Sequence, residues 1–186
     1  MESNDLTVII VTYRSQNKIF TCLNSIPNNI NVIVVENSNN QDFKKLIESK
    51  YSNVKCILAK ENLGYSRGNN IGLNHAKTKY ALVLNPDAKL GKNCVSNFLN
   101  TAKKFKDFWL IGPANNQTDY RVNTDEFEVE NLKGFAIFFN IQKFNNTFFD
   151  ENFFLYFEEI DLCKKVKMKK GKIILSKNIK INHEGF

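Results

Sequence analysis

Short apolar runs rich in β-branched residues alternate, along the first half of the chain, with segments whose apolar positions recur every three or four residues. That alternation is the pattern of parallel strands joined by crossover helices. Thr7 to Thr12 (TVIIVT), Asn31 to Glu36 (NVIVVE), Val54 to Leu58 and Tyr80 to Leu84 (YALVL) read as strands. Between them, a helix capped by Asn17 presents Ile19, Leu23 and Ile26 on one face, Phe43, Leu46 and Ile47 mark a second helix, and Ser66 to Lys77 forms a third. Pro86 stops the fourth strand. Asn93 to Lys106 reads as helix, and Leu110 to Gly112 begins another strand. Ala114 to Glu128 is polar and aperiodic and is expected as a long loop or a disordered excursion. A strand (Phe135 to Phe139), an aromatic-rich connection, a helix from about Glu158 to Lys170 and two short strands ending near His183 complete the chain. The fold class is α/β, a mostly parallel sheet flanked by helices.

A chain of 186 residues suits one domain with one sizeable core, which its 16 Phe and many Ile, Leu and Val supply. No run approaches 18 apolar residues and the start, MESND, is polar, so neither a membrane span nor a secretory signal is read and a cytoplasmic protein is expected. Cys22, Cys56, Cys94 and Cys163 are widely spaced without a C-x-x-C pair, which points to reduced thiols at core or helix positions. The net charge of +7 lies in the stretch from Lys164 to Phe186, with eight Lys against one acid. This segment is either a solvated helix face or a contact for anionic lipid at the inner face of the membrane. Nucleic acid is not expected, because no aromatic residues interleave those lysines.

An open parallel sheet binds its ligand outside the C-terminal ends of the strands. Those ends carry Thr12-Tyr13-Arg14, Glu36-Asn37-Ser38, the Glu61 to Asn70 segment and Asn85-Pro86-Asp87. In LNPDA, Asp87 can hold Mg²⁺ or Mn²⁺ against a diphosphate, or it is a plain turn residue. Gly64, Gly68 and Gly72 recur at four-residue intervals. They admit either a ligand close to the backbone, with Arg67 as a cationic fork, or a close helix packing. Glu158, Glu159 and Asp161 open a helix, where acids suit the dipole without any function. Helical geometry puts Glu158 and Asp161 on one face and Glu159 elsewhere. One of these carboxylates aimed at the crevice can serve as a general base.

Four blocks in this order, TVIIVTYRS, VIVVENSN, ENLGYSRGNNIGL with YALVLNPDA, and FFDENFFLYFEEIDLCKK followed by INHEG, resemble the bacterial family 2 glycosyltransferases of the rhamnosyltransferase-like type. The resemblance covers nearly the whole chain and implies a GT-A fold, with residues 1–113 as the nucleotide-sugar-binding half and 129–186 as the acceptor and catalytic-base half. It implies that Thr12 and Tyr13 border the nucleobase, that Glu36 accepts from the base ring, and that Arg67 and Asn70 sit beside the nucleotide. Asn85 and Asp87 fall on the family's D-x-D motif, Asn85 near the ribose and Asp87 on a divalent metal, Mn²⁺ or Mg²⁺. His183 matches a late histidine that contacts metal or diphosphate, or it is a plain strand-end histidine. Glu159 falls on the catalytic Asp, with Asp161 in the same block. Glu stands for Asp at 36 and 159, adding a methylene each, so the base role stays open between Glu159 and Asp161.

The resulting expectation is an inverting transfer of a sugar from a UDP- or dTDP-linked donor to a hydroxyl of a glycan or lipid-linked acceptor in cell-surface polysaccharide biosynthesis. Two alternatives stay open. One is a catalytically weak nucleotide-sugar-binding module of a polysaccharide assembly complex. The other is a sugar nucleotidylyltransferase, whose glycine-rich N-terminal signature has no counterpart in TVIIVTYRSQNK.

Overall fold

The computed structural model describes residues 5–114 and 121–183. The first half alternates as its apolar pattern requires: β1 (Leu6–Thr12), α1 (Gln16–Asn24), β2 (Asn31–Glu36), α2 (Gln41–Lys50), β3 (Val54–Leu58), α3 (Gly64–His75) and β4 (Tyr80–Leu84). A short β5 (Ala88–Leu90), α4 (Cys94–Lys104) and β6 (Phe108–Pro113) follow. The rest comprises β7 (Glu126–Glu128), β8 (Ala136–Asn140), α5 (Glu158–Met168), β9 (Lys172–Ser176) and β10 (Ile181–His183).

Val and Ile fill the central strands because helices cover both faces of the sheet. Val8, Ile10, Val34 and Leu82 pack with Ile19, Phe43 and Phe98 on one side. Ile9, Val35 and Val83 meet Leu73, Leu162 and Val166 on the other. The main sheet runs β3-β2-β1-β4-β8-β6-β9-β7. Its β3-β2-β1-β4 half is parallel, with Thr12 opposite Glu36 and Glu36 opposite Leu58. β8 is antiparallel between β4 and β6, β9 is parallel to β6, and β7 is antiparallel on the outer side of β9. β5 and β10 form a separate antiparallel ladder with His183 opposite Ala88.

Three local expectations are corrected. Asn17 does not cap α1, which begins at Gln16 with Ser15 before it and no side-chain cap hydrogen bond. α3 starts at Gly64, two residues before Ser66. The Ala114 to Glu128 stretch is not all loop, because β7 pairs with β9. An edge strand of three residues is too short to leave an alternating signature. Residues 115–120 of that stretch lie outside the described residues. All four cysteines are free and buried. Burial pushes the thiols of Cys22, Cys56 and Cys94 up to about 12 and that of Cys163 to about 11. Among the described residues no helix is long and apolar enough to cross a membrane.

Candidate functional site

Because β1, β2 and β4 point the same way, their C-terminal ends share one rim. The reversed β8 brings its N-terminal end there as well, and the Asn85 N–H donates to the Phe135 carbonyl at 2.9 Å. At this rim opens a cavity of about 680 Å³ whose walls include Tyr65, Asn85, Gly134, Glu158, Glu159 and His183.

Asn85, Asp87 and His183 converge at one end. The β5–β10 ladder carries His183 back to the turn after β4, where its Nε2 lies 3.2 Å from Asp87 Oδ1 and 3.3 Å from Asn85 Nδ2. The imidazole stacks on Phe135, with centroids 4.6 Å apart and planes 14° from parallel, which fixes the direction of Nε2. Among the described residues no three His, Cys, Asp or Glu side chains converge as a metal site. Asp87 and His183 therefore fit a divalent cation only as a two-residue anchor, the arrangement suited to a metal that shares its shell with substrate phosphate oxygens.

The carboxylates stand at the N-terminal end of α5. Glu158 and Glu159 both line the cavity, whereas Asp161 turns away to pair with Lys165 at 2.8 Å. This corrects the face expected from helical geometry: the cavity meets the end of the helix rather than its side, so consecutive residues of the first turn both reach it. Glu159 crosses over Gly134, where an added Cβ would stand 3.6 Å from that of Glu159. Glu158 is buried and its Oε2 has no hydrogen-bond partner. Burial raises its carboxyl above the ordinary value of 4.5; its own backbone N–H opposes this in part, and the Glu159 charge reinforces it. Tyr65 donates to the Gly134 carbonyl at 2.6 Å, and burial followed by the two glutamate charges pushes its phenol up.

At the other end of the rim Thr12 is buried and Tyr13 is exposed beneath Arg14, whose guanidinium lies 5.2 Å from the ring centroid. Glu36 is fully buried and serves its own turn. Its Oε1 accepts from the Ser38 N–H at 3.0 Å and from the Ser38 hydroxyl, and its Oε2 accepts from the Asn40 N–H at 2.6 Å. A carboxylate has about four acceptor positions, so one is not taken by this turn.

The glycine-rich block has a different task from the one expected of a ligand-facing loop. A Cβ on Gly68 would come within 2.8 Å of Val11, and one on Gly72 within 2.3 Å of Ile9, so these glycines seat α3 directly on β1. Gly64 has φ +74° and lies under Phe154, whose carbonyl oxygen would be 2.4 Å from an added Cβ. Asn70 does not offer its amide to the cavity. Its side chain is bonded to both backbone groups of Phe149 and to Glu151 Oε1 at 3.1 Å. Arg67 is exposed, with Nε 3.9 Å from Glu151. Asn70 thus braces the 149–151 loop, with Arg67 beside it.

Three of the eight lysines of the basic C-terminal segment are paired with acids. Lys165 contacts Asp150 as well as Asp161, and Lys167 contacts Glu128 and Glu130. Lys172 lies 3.8 Å from Asp107, and Lys169 sits over Trp109.

Lys133 was not legible as a wall residue. Lys133 reaches the rim only because β8 runs against its neighbours; the Lys-Gly step opening an apolar run is the one local sign of it. Asn37, expected at the rim as part of Glu36-Asn37-Ser38, has a structural task there. It is buried at the end of β2 and donates to the Gly64 carbonyl at 3.0 Å, tying β2 to α3.

The helix-covered sheet, with a parallel half and an antiparallel strand inserted beside β4, is a GT-A glycosyltransferase fold. The chain belongs to glycosyl transferase family 2, whose family model matches residues 7–163. It is 24% identical over 193 residues to the low-salt glycan biosynthesis hexosyltransferase Agl10 of Haloferax volcanii, an alignment covering 88% of this chain and 62% of that protein. The S. aureus TarS 1–349 structure in complex with UDP shares the fold at a TM-score of 0.76 and 19% identity, covering 94% of this chain and 58% of that one. The structure of GalNAc-T7 with UDP, GalNAc and Mn²⁺ does so at a TM-score of 0.81 and 12% identity, covering 96% and 43%. The chain thus spans about three-fifths of the length of Agl10.

Proposed function

We propose that the chain transfers a sugar, with inversion, from a nucleoside diphosphate donor carrying uracil or thymine to a hydroxyl of a glycan or lipid-linked acceptor in cell-surface polysaccharide assembly. The observation that carries this reading is that the Asp87–His183 pair and Glu159 belong to one rim, with Asn85, His183 and Glu159 in the wall of one cavity. Asp87 and His183 would anchor a divalent cation, Mn²⁺ or Mg²⁺. Such an ion offsets negative charge on the departing diphosphate. Thr12, Tyr13 and the remaining acceptor position of Glu36 would border the base, and Asn85 the ribose. Lys133 and Lys180 add positive charge to the cavity wall. Glu159 accepts the proton of the attacking hydroxyl, and holding both partners in one crevice supplies proximity. The two chain halves, 1–113 and 129–186, divide donor from acceptor work in this reading. The structures of TarS with UDP and of GalNAc-T7 with UDP, GalNAc and Mn²⁺ support the donor class and the metal. A membrane contact through the basic segment has less free charge to draw on than its composition suggests.

The test is a thermal-shift panel of UDP, dTDP, GDP and CDP, each with and without Mn²⁺. A ligand selective for the folded state raises the melting temperature by mass action. One diphosphate is expected to do so strongly with Mn²⁺ and weakly without it. No shift with any of the four would overturn the reading.

A further inference from the structure

Just before Glu158 the chain carries Phe154, Leu155, Tyr156 and Phe157, which are 55, 50, 66 and 67% exposed. Four consecutive large apolar residues turned to solvent are disfavoured, and the backbone adds to this. Tyr156 has φ 72° and Phe157 φ 69°, in the left-handed region that side chains beyond glycine, Asn and Asp rarely occupy. Strain of this kind persists where the surroundings enforce it, and it clusters at ligand clamps. Here the enforcement is visible. The Phe154 carbonyl accepts from the Tyr65 N–H at 2.7 Å, and the Phe157 carbonyl from the Asp161 N–H at 3.0 Å. The lip is therefore pinned at both ends.

Leu155 and Tyr156 line the same cavity as Glu159, whose other walls mix polar groups such as Lys133 and Asn182 with Phe135 and Ile181. An apolar step beside hydrogen-bonding groups fits a molecule with one apolar face and a polar edge. A pyranose ring has that form: its C–H face packs on an aromatic ring while its hydroxyls reach carboxylate, amide and ammonium groups.

We propose that Tyr156, supported by Leu155, is the platform on which the acceptor's terminal sugar ring stacks, presenting a hydroxyl to Glu159. The proposal rests on the reading of the cavity as a glycosyl-transfer site. Its test is saturation-transfer NMR on the 186-residue chain, with and without UDP and Mn²⁺, using methyl and octyl glycosides of glucose, galactose, N-acetylglucosamine and rhamnose as probes. The expected result is transfer to the ring protons of at least one methyl glycoside. Its apparent affinity should fall at least tenfold in Tyr156→Ala and stay within twofold in Tyr156→Phe, with the UDP signals equal in all three proteins. Transfer confined to octyl chains, ring signals indifferent to Tyr156→Ala, or no ring signal from any glycoside would overturn the platform. Absence of UDP signals alone would instead strike the donor reading, since the glycoside arms without UDP report on the lip by themselves.

Discussion

Asn70 and Phe149 pair as two strand residues would, although one partner is a side chain. Asn70 Nδ2 donates to the Phe149 carbonyl at 2.9 Å, and Asn70 Oδ1 accepts from the Phe149 N–H at 3.0 Å. The pair is buried, and it ties the loop leading to the candidate base onto α3. Asn70→Asp would face a carboxylate against the Phe149 carbonyl and leave that carbonyl unpaired. A loss of about 2–3 kcal/mol is expected, from the cost of unsatisfied buried groups. At roughly 2–4 °C per kcal/mol for a domain of this size, the melting temperature should fall by about 5–10 °C. UDP affinity in Mn²⁺ should stay within about twofold, because the amide is spent on the loop. Lost UDP affinity at an unchanged melting temperature would return Asn70 to the nucleotide.

Asp87→Ala removes one side chain of the proposed cation anchor, the Asp87–His183 pair. Calorimetric titration of UDP should show the Mn²⁺-dependent part of the affinity reduced by about tenfold or more, as expected when a metal anchor is lost. His183→Ala should behave alike. The ligand-free proteins should melt within a few degrees of the parent, because both side chains are only partly buried. Metal-dependent binding that survives both changes would refute the anchor.

The raised carboxyl of Glu158 gives a signed pH dependence. A group whose folded value lies above its unfolded one stabilises the fold fully below the unfolded value, here near 4.5, and that contribution is lost as pH rises through the folded value. Glu158→Gln keeps the neutral shape and removes the titration. Urea unfolding should find the variant level with the parent near pH 4 and more stable by about 1 kcal/mol at pH 8, the scale of relieving an unpaired buried oxygen. A variant destabilised equally at both pH values would contradict the assignment.

Gly72 and Gly134 separate packing from mere proximity. An added methyl at Gly72 would stand 2.3 Å from Ile9 Cγ2, inside the sheet–helix contact, and Gly72→Ala should cost about 1–3 kcal/mol in denaturant unfolding. At Gly134 the nearest atom is Glu159 Cβ at 3.6 Å, an ordinary contact, so Gly134→Ala should change stability by less than about 0.5 kcal/mol.

The ladder β3-β2-β1-β4 was legible because each strand is a short run of apolar, largely β-branched residues bounded by turn signals, and β2, β3 and β4 were read to the residue. Strand direction was not, since an apolar run such as Phe135 to Phe139 looks the same whichever way it enters a sheet. That ambiguity concealed Lys133 and Gly134. The short β5 also went unread, although His183 was expected close to Asp87, where the β5–β10 ladder holds it. Motif spacing located α3 well but not its purpose: glycines four apart serve a ligand or a sheet equally, and only Val11 and Ile9 beneath them decide. The roles of Asn70 and Glu158 depend on partners 79 residues away or on burial, neither of which composition encodes.

The insertion of β8 has a consequence for how the polypeptide assembles. β8 pairs with β4 on one edge and β6 on the other, so no cut between residues 113 and 129 yields two finished pieces. A nascent chain released only as far as β6 exposes two neighbouring apolar strands with no bridge between them. The ribosome must deliver the stretch around Phe138 before either edge is closed. A protein split at that point should recover only when both fragments are supplied together.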